Sequence, residues 1–223
     1  MNFLSHFYTA NKTISPYELL GVILPDLTKD FSRTYNKEVA EQYFPKQKEL
    51  IEMKAGVELH IKGDDLFHNH PLFLKHEAFA KTILKEEIAL KAKRKYIIAH
   101  VIVELLIDQY ILNKDEQVVI DFYNKLDLVN LETANTFFEE INISEEASHF
   151  KNNFSFFRER KFLNRLKENK GVIFTLDTVF GKLFATDFEN QYTLWNEVID
   201  LIKIKLNEDL PILLADLKTK INE

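Results

Sequence analysis

The chain's 223 residues are 46% hydrophobic and 29% charged, enough to bury a substantial core without covalent staples. The absence of cysteine excludes disulfides and thiolate metal ligands, leaves nitrogen and oxygen donors for any metal, and suits a reducing, cytoplasmic compartment. A formal charge of −6 argues against broad nucleic-acid binding, and neither a basic leader with an apolar core nor an uninterrupted apolar run of about 18 residues marks a secreted or membrane-spanning chain.

Helix formers dominate, glycine and proline number five each, and no linker-like tract is present, so one all-α domain over residues 1–223 is expected. Residues 1–9 read as a short buried segment, with Phe3, Leu4, Phe7 and Tyr8 clustered around His6. Ser15, Pro16 and Glu18 supply an N-cap, a first-turn proline and a reciprocal capping partner, and so start a helix. Pro25 should kink or interrupt it, leaving Asp26 beside freed backbone groups. A long helix over 46–69 carries His60, Asp64 and His68, four apart in VELHIKGDDLFHNHP. At about 3.6 residues per turn these share one helical face, where an imidazole, a carboxylate and a second imidazole can converge on a metal. His70-Pro71 ends that helix, and the next covers 72–86. A central apolar helix over 88–112 repeats the spacing with His100, Glu104 and Asp108, whose charges are costly there unless paired. Shorter helices are expected at 115–125 and 130–140, then amphipathic ones at 145–169, 174–189, 191–205 and 209–221, while 172–176 has the composition of a short extended piece.

Four of these segments, taken in order, carry a likeness. MNFLSHF, LLGVILPDLTKDF, AGVELHIKGDDLFHNHP and VELLIDQYIL resemble motifs of the acyl carrier protein phosphodiesterase family. The counterparts are its opening MNFLAH, its glycine-to-aspartate segment, its L-H-R-R-I-D…D-x-H-P pattern, matched by His60, Asp64, His70 and Pro71, and the first residue of D-H-F-L, matched by Asp108. The resemblance covers the first half of the chain; past Ser144 only the pattern of aromatic and apolar helices is similar. It implies an HD-domain-like helical bundle with additional C-terminal helices. The implied reaction is hydrolysis of the 4′-phosphopantetheine arm from holo-acyl carrier protein to give the apo form, within fatty-acid metabolism. At the matching positions it implies a divalent metal, manganese foremost with magnesium, iron or zinc as alternatives. His60, Asp64 and Asp108 would hold that metal, with His6 and His68 completing or flanking the set. Asp26 is then the candidate base, His70 the candidate acid, and acyl carrier protein the partner.

Departures from the family pattern keep other functions open. His68 stands where the family has aspartate, Ile61-Lys62 replace its arginine pair, Glu104 replaces a second aspartate, Gln109 replaces a histidine, and His100 is an extra imidazole. More imidazole shifts preference toward zinc, iron or nickel and away from magnesium. A different metal-dependent phosphohydrolase and a noncatalytic helical homologue are therefore alternatives. Each residue also has an ordinary role available: a hydrogen-bonded core histidine for His6, a cap for Asp26, helix-end dipole contacts for His68 and His70, and an internal polar network for Glu104 and Asp108. Asp65, His76 and His149 read as solvent-facing or packing residues. Two basic stretches, Lys91, Lys93, Arg94 and Lys95, and Arg158, Arg160, Lys161, Arg165 and Lys167, are candidates for steering an acidic partner. No periodic seam points to an oligomer, and a monomer is the default.

Overall fold

Capping chemistry starts the first two helices at the positions its side chains mark. In the computed structural model, which describes residues 1–10, 13–28, 31, 35, 37–87, 92–180 and 188–223, Asn2 accepts the Phe3 amide at the head of α1 (Phe3–Thr9). Ser15 and Glu18 complete a capping box on α2 (Pro16–Leu27). The chain continues through α3 (Lys37–Gln42), α4 (Lys48–His68), α5 (Pro71–Glu87), α6 (Ala92–Lys114), α7 (Gln117–Asp127), α8 (Leu131–Glu140) and α9 (Ser144–Arg160). A 3₁₀ turn (Phe162–Lys167), α10 (Asn169–Val179) and α11 (Phe188–Ile221) follow. Every regular element among the described residues is helical, so the protein is an all-α bundle.

Four expectations change. The short piece at 172–176 is helical, because Val172, Ile173 and Leu176 bury one helical face within α10. The helix expected over 145–169 breaks at Lys161, whose φ of 44° is left-handed and closes α9 before the 3₁₀ turn. The helices expected at 191–205 and 209–221 are one, running unbroken through Pro211. Pro211 is tolerated because it and Asn207, the residue whose carbonyl loses a donor, are exposed to water, while Ile202, Leu206, Leu210, Leu213 and Leu217 form a continuous buried stripe. Of the two outcomes expected at Pro25, a kink or an interruption, the interruption does not occur, and α2 continues two residues past it. Residues 88–91 and 181–187, included in two of the expected helices, lie outside the described residues.

The core is one connected set of apolar side chains, from Leu4 on α1 to Leu217 on α11, with Phe122, Phe137, Phe138, Phe150 and Phe154 fully buried. Helix α6 runs through it. The segment Tyr96–Lys114 is long and apolar enough to cross a membrane by length and composition, with mean hydropathy 1.4, yet 61% of that window is buried inside the protein. Its hydrophobicity is used by the core: Ile98, Ala99, Ile102, Val103 and Leu106 are all buried. The short α1 packs against α2, α6, α7 and α11 and is nearly surrounded.

Helices α2 and α4 form the most extensive helix pair among the described residues, and two glycines permit their close approach. A Cβ on Gly21 would lie 2.0 Å from the Met53 carbonyl oxygen, and one on Gly56 would lie 2.0 Å from the Glu18 carbonyl oxygen. Both obstacles are helix backbone, which cannot yield locally. Either Gly21→Ala or Gly56→Ala should therefore force the helices apart and cost about 3 kcal/mol or more, read as a lowered midpoint in chemical denaturation; midpoints within error of wild type would show that the crossing is not tight.

Candidate metal centre

One turn beyond Gly56, α4 presents His60, and one turn beyond Gly21, α2 presents Pro25 and Asp26, so the glycine crossing sets these faces against each other. The His60 Nδ1–H donates to the Val22 carbonyl at 2.8 Å, using the second lone pair that a helical carbonyl retains. That bond turns Nε2 toward Asp26 Oδ1 at 4.0 Å and Asp64 Oδ2 at 3.4 Å. The His6 ring, carried by α1, stacks on His60 with centroids 4.1 Å apart. Candidate ligand atoms of His6, Asp26 and His60, from three helices, all lie within 4.8 Å of one another.

Asp64 sits against both rings: its Oδ1 is 3.1 Å from His6 Nε2 and accepts the Met1 ammonium at 2.5 Å. Two of these groups are held away from their usual ionisation. Burial, with His60 and the Met1 ammonium nearby, depresses His6 to about 3, so the ring is neutral. Burial pushes Asp26 up to about 6 against the pull of His60 and the ammonium. Burial opposes ionisation of Asp64 as well, but the His6 and His60 rings against it and the adjacent ammonium hold it well below the usual carboxylate range. His60 is raised, since Asp64 and Asp26 outweigh its desolvation.

The residues fit a metal. His6 Nε2 is buried without a hydrogen-bond partner, Asp64 lying close but out of line, and a neutral imidazole with an idle lone pair is the state that coordinates. His60 is oriented through its other nitrogen, as coordinating histidines commonly are. Two imidazole nitrogens with carboxylate oxygens suit iron or zinc better than magnesium.

The other expected site residues go elsewhere. His68 lies beside His100 and Glu104, with Nε2 at 3.4 Å from Glu104 Oε1. Asp108 is fully buried and serves the N-terminus of α1, accepting the Leu4 amide at 3.1 Å and the Ser5 amide at 2.7 Å. Both its oxygens are thus committed, and helical spacing alone hides this because the donors arrive from 103 and 104 residues away. His70 accepts the Leu72 amide on Nδ1 at 3.1 Å, capping α5, and its Nε2–H donates to Asp216 at 3.0 Å, tying that corner to α11. These two contacts engage both ring nitrogens. Gln109 donates to the Leu166 carbonyl at 2.8 Å, away from the cluster. His76 is buried against Asp209, Asp65 is exposed as expected, and the His149 side chain lies outside the described residues. Local spacing also missed the Met1 ammonium, which reaches both Asp64 and Glu104, and Glu77, which bonds His100 at 3.1 Å; neither belongs to a helical ladder.

The fold and the cluster are consistent with a metal-binding helical bundle broadly like HD-domain proteins. Comparisons with known protein families, curated proteins and solved structures return no match.

Removing the Asp108 carboxylate leaves two buried amides unpaired. Asp108→Ala should destabilise the protein by about 3 kcal/mol and Asp108→Asn by less, since its one carbonyl oxygen restores one of the two bonds; the ordering is read from denaturant midpoints, and equal, near-zero effects would deny the anchoring role. The His6 shift gives a pH signature. Its folded value is depressed from about 6.5 to about 3, so its contribution is complete above about pH 6.5 and is lost as pH falls, because only the unfolded chain takes up the proton. In chelator-treated protein, wild type should lose about 2 kcal/mol more than His6→Gln between pH 7.5 and pH 5; parallel stability curves would contradict a buried neutral ring.

Proposed function

We propose that the protein is a metal-dependent phosphodiesterase, and that its substrate is holo-acyl carrier protein, from which it releases the 4′-phosphopantetheine arm. The observation that carries the catalytic part is the meeting of His6, Asp26 and His60 from three helices, with Asp64 against both rings. The substrate part rests on the four sequence segments that resemble acyl carrier protein phosphodiesterases.

A divalent ion in this cluster would polarise the phosphodiester oxygens and lower the pKa of a bound water. The protein's own groups divide the remaining work. His6 and His60 would hold the ion through Nε2, and Asp64 through an ionised oxygen. Asp26, on the solvent side with its side chain 31% exposed, takes the proton from the attacking water, a task for which a value near 6 suits it. As the water oxygen bonds to phosphorus and the bond to the carrier serine breaks, Asp26 returns that proton to the departing serine oxygen. His70, bonded to Asp216, has no part in this scheme.

A groove of about 400 Å³ supports an acyl carrier partner. It is lined by Leu27, which follows Asp26 in sequence, and by Phe156, Phe162 and Phe174 together with Arg160 and Arg165. Apolar walls suit an extended arm and the guanidinium groups an acidic protein surface. Elsewhere in this basic stretch Arg158 faces Asp127 at 3.9 Å and Lys167 faces Glu116 at 3.0 Å, which leaves less free charge than the sequence offers. Of the first stretch, Lys91 and the side chains of Lys93, Arg94 and Lys95 lie outside the described residues.

Purified protein loaded with manganese should convert holo-acyl carrier protein to the apo form with release of 4′-phosphopantetheine, followed by mass spectrometry, and His60→Ala should reduce the rate at least 100-fold. Release no faster than in the His60→Ala variant would remove this substrate. The changed surroundings of His68, beside His100 and Glu104, favour a second reading, hydrolysis of a different phosphodiester, and turnover of nucleotide phosphodiesters alone would select it.

A further inference from the structure

The central helix α6 carries a second constellation that the proposed reaction leaves unused. His100 and Glu104 lie one turn apart on α6, and His68 reaches them from the end of α4. His68 Nε2 is 3.4 Å from Glu104 Oε1, and His100 Nε2 is 3.3 Å from the same oxygen. Ligand atoms around a tetrahedral ion with bonds of about 2.1 Å stand about 3.4 Å apart, so these separations are those of coordination edges.

The outer contacts have the same character. His100 Nδ1 faces Glu77 Oε1 at 3.1 Å, and Glu77 is itself paired with Lys81. The Glu77 carboxylate accepts the Nδ1 proton, and this contact presents Nε2 toward Glu104. Phe73 packs against both rings, with centroids 5.6 Å from His68 and 5.2 Å from His100, and gives the group an apolar wall. The opposite side is open: His68 and His100 side chains are 35% and 32% exposed, which provides an entry path and a place for water.

We propose that His68, His100 and Glu104 form a second metal site, distinct from the His6, Asp26 and His60 cluster, for a divalent transition ion with imidazole preference, Zn²⁺ or Co²⁺ in chemical class. Two imidazoles and one carboxylate with an open position are a donor set for such ions and a poor one for Mg²⁺ or Ca²⁺. The Met1 ammonium, between Asp64 at 2.5 Å and Glu104 at 3.3 Å, marks the boundary of the two centres. The site stands beside the proposed function and does not depend on it.

The test is Co²⁺ titration of chelator-treated, full-length protein, with stoichiometry from equilibrium dialysis, ligand-field absorption for geometry and circular dichroism for folding. Wild type should take up two equivalents. His100→Ala and Glu104→Gln should each lose one, and His60→Ala should lose the other. Glu77→Gln, which alters no ligand, should weaken one of the two ions on the order of 10-fold with the fold intact, and so covers the case in which a ligand variant misfolds. A single equivalent lost in His100→Ala but kept in His60→Ala would uphold this site and sink the proposed function. The inference is overturned if wild type binds no ion, or if folded His100→Ala and Glu77→Gln retain wild-type stoichiometry and affinity.

Discussion

The crossing of α2 and α4 at Gly21 and Gly56 is the constraint on which the rest of the structure depends. With glycine at both contact points, each helix lies directly on the other's carbonyl groups, closer than any residue with a Cβ would allow. The consequence is felt one turn along each helix. Val22 offers its carbonyl to His60, the ring is turned by that bond, and Asp26 is delivered to the rim of the same space. A wider crossing would leave the same residues on the same helices with no shared volume between them.

Charge is then balanced inside the bundle by a small set of groups that answer one another. Asp64 and Glu104 each face two imidazoles, and the Met1 ammonium lies between the two carboxylates. Burial would lower the ammonium's proton affinity, but Glu104 and Asp64 outweigh it and the group stays charged. Desolvated charges of this kind persist only where paired, since an unpartnered one costs several kcal/mol. Each imidazole that faces a carboxylate through Nε2 and is anchored through Nδ1, His60 by Val22 and His100 by Glu77, is also pre-oriented for an ion. The same contacts therefore stabilise the metal-free bundle and define where cations enter it.

Asp108 and His70 show how a fold can divert residues that look catalytic. Asp108 sits a single turn beyond Glu104 on α6, and it binds the Leu4 and Ser5 amides of α1 and so positions the helix that carries His6. His70 closes the corner between α4 and α5 and is bonded to α11. Both roles are those of side chains that satisfy helix-end donors, a demand every buried helix terminus makes.

The helices themselves were legible in the chain because their signals are local. The Ser15–Glu18 capping box, the His70-Pro71 boundary and the apolar periodicity of α4, α5 and α6 depend on neighbours a few residues away, and so does the alignment of His60 with Asp64 and of His100 with Glu104. The merging of two expected helices into α11 was not legible, because tolerance of Pro211 depends on which face of the helix meets water. Nor was the division of the histidines into two groups. His68 continues the ladder of His60 and Asp64, but over two turns the helix rise carries it to His100 and Glu104, while His6 arrives on a short helix held by Asp108. Residue types and spacing limit which groups can share a helical face; only the packing of helices, set by glycines too small to enforce their own contacts in the unfolded chain, decides which faces meet.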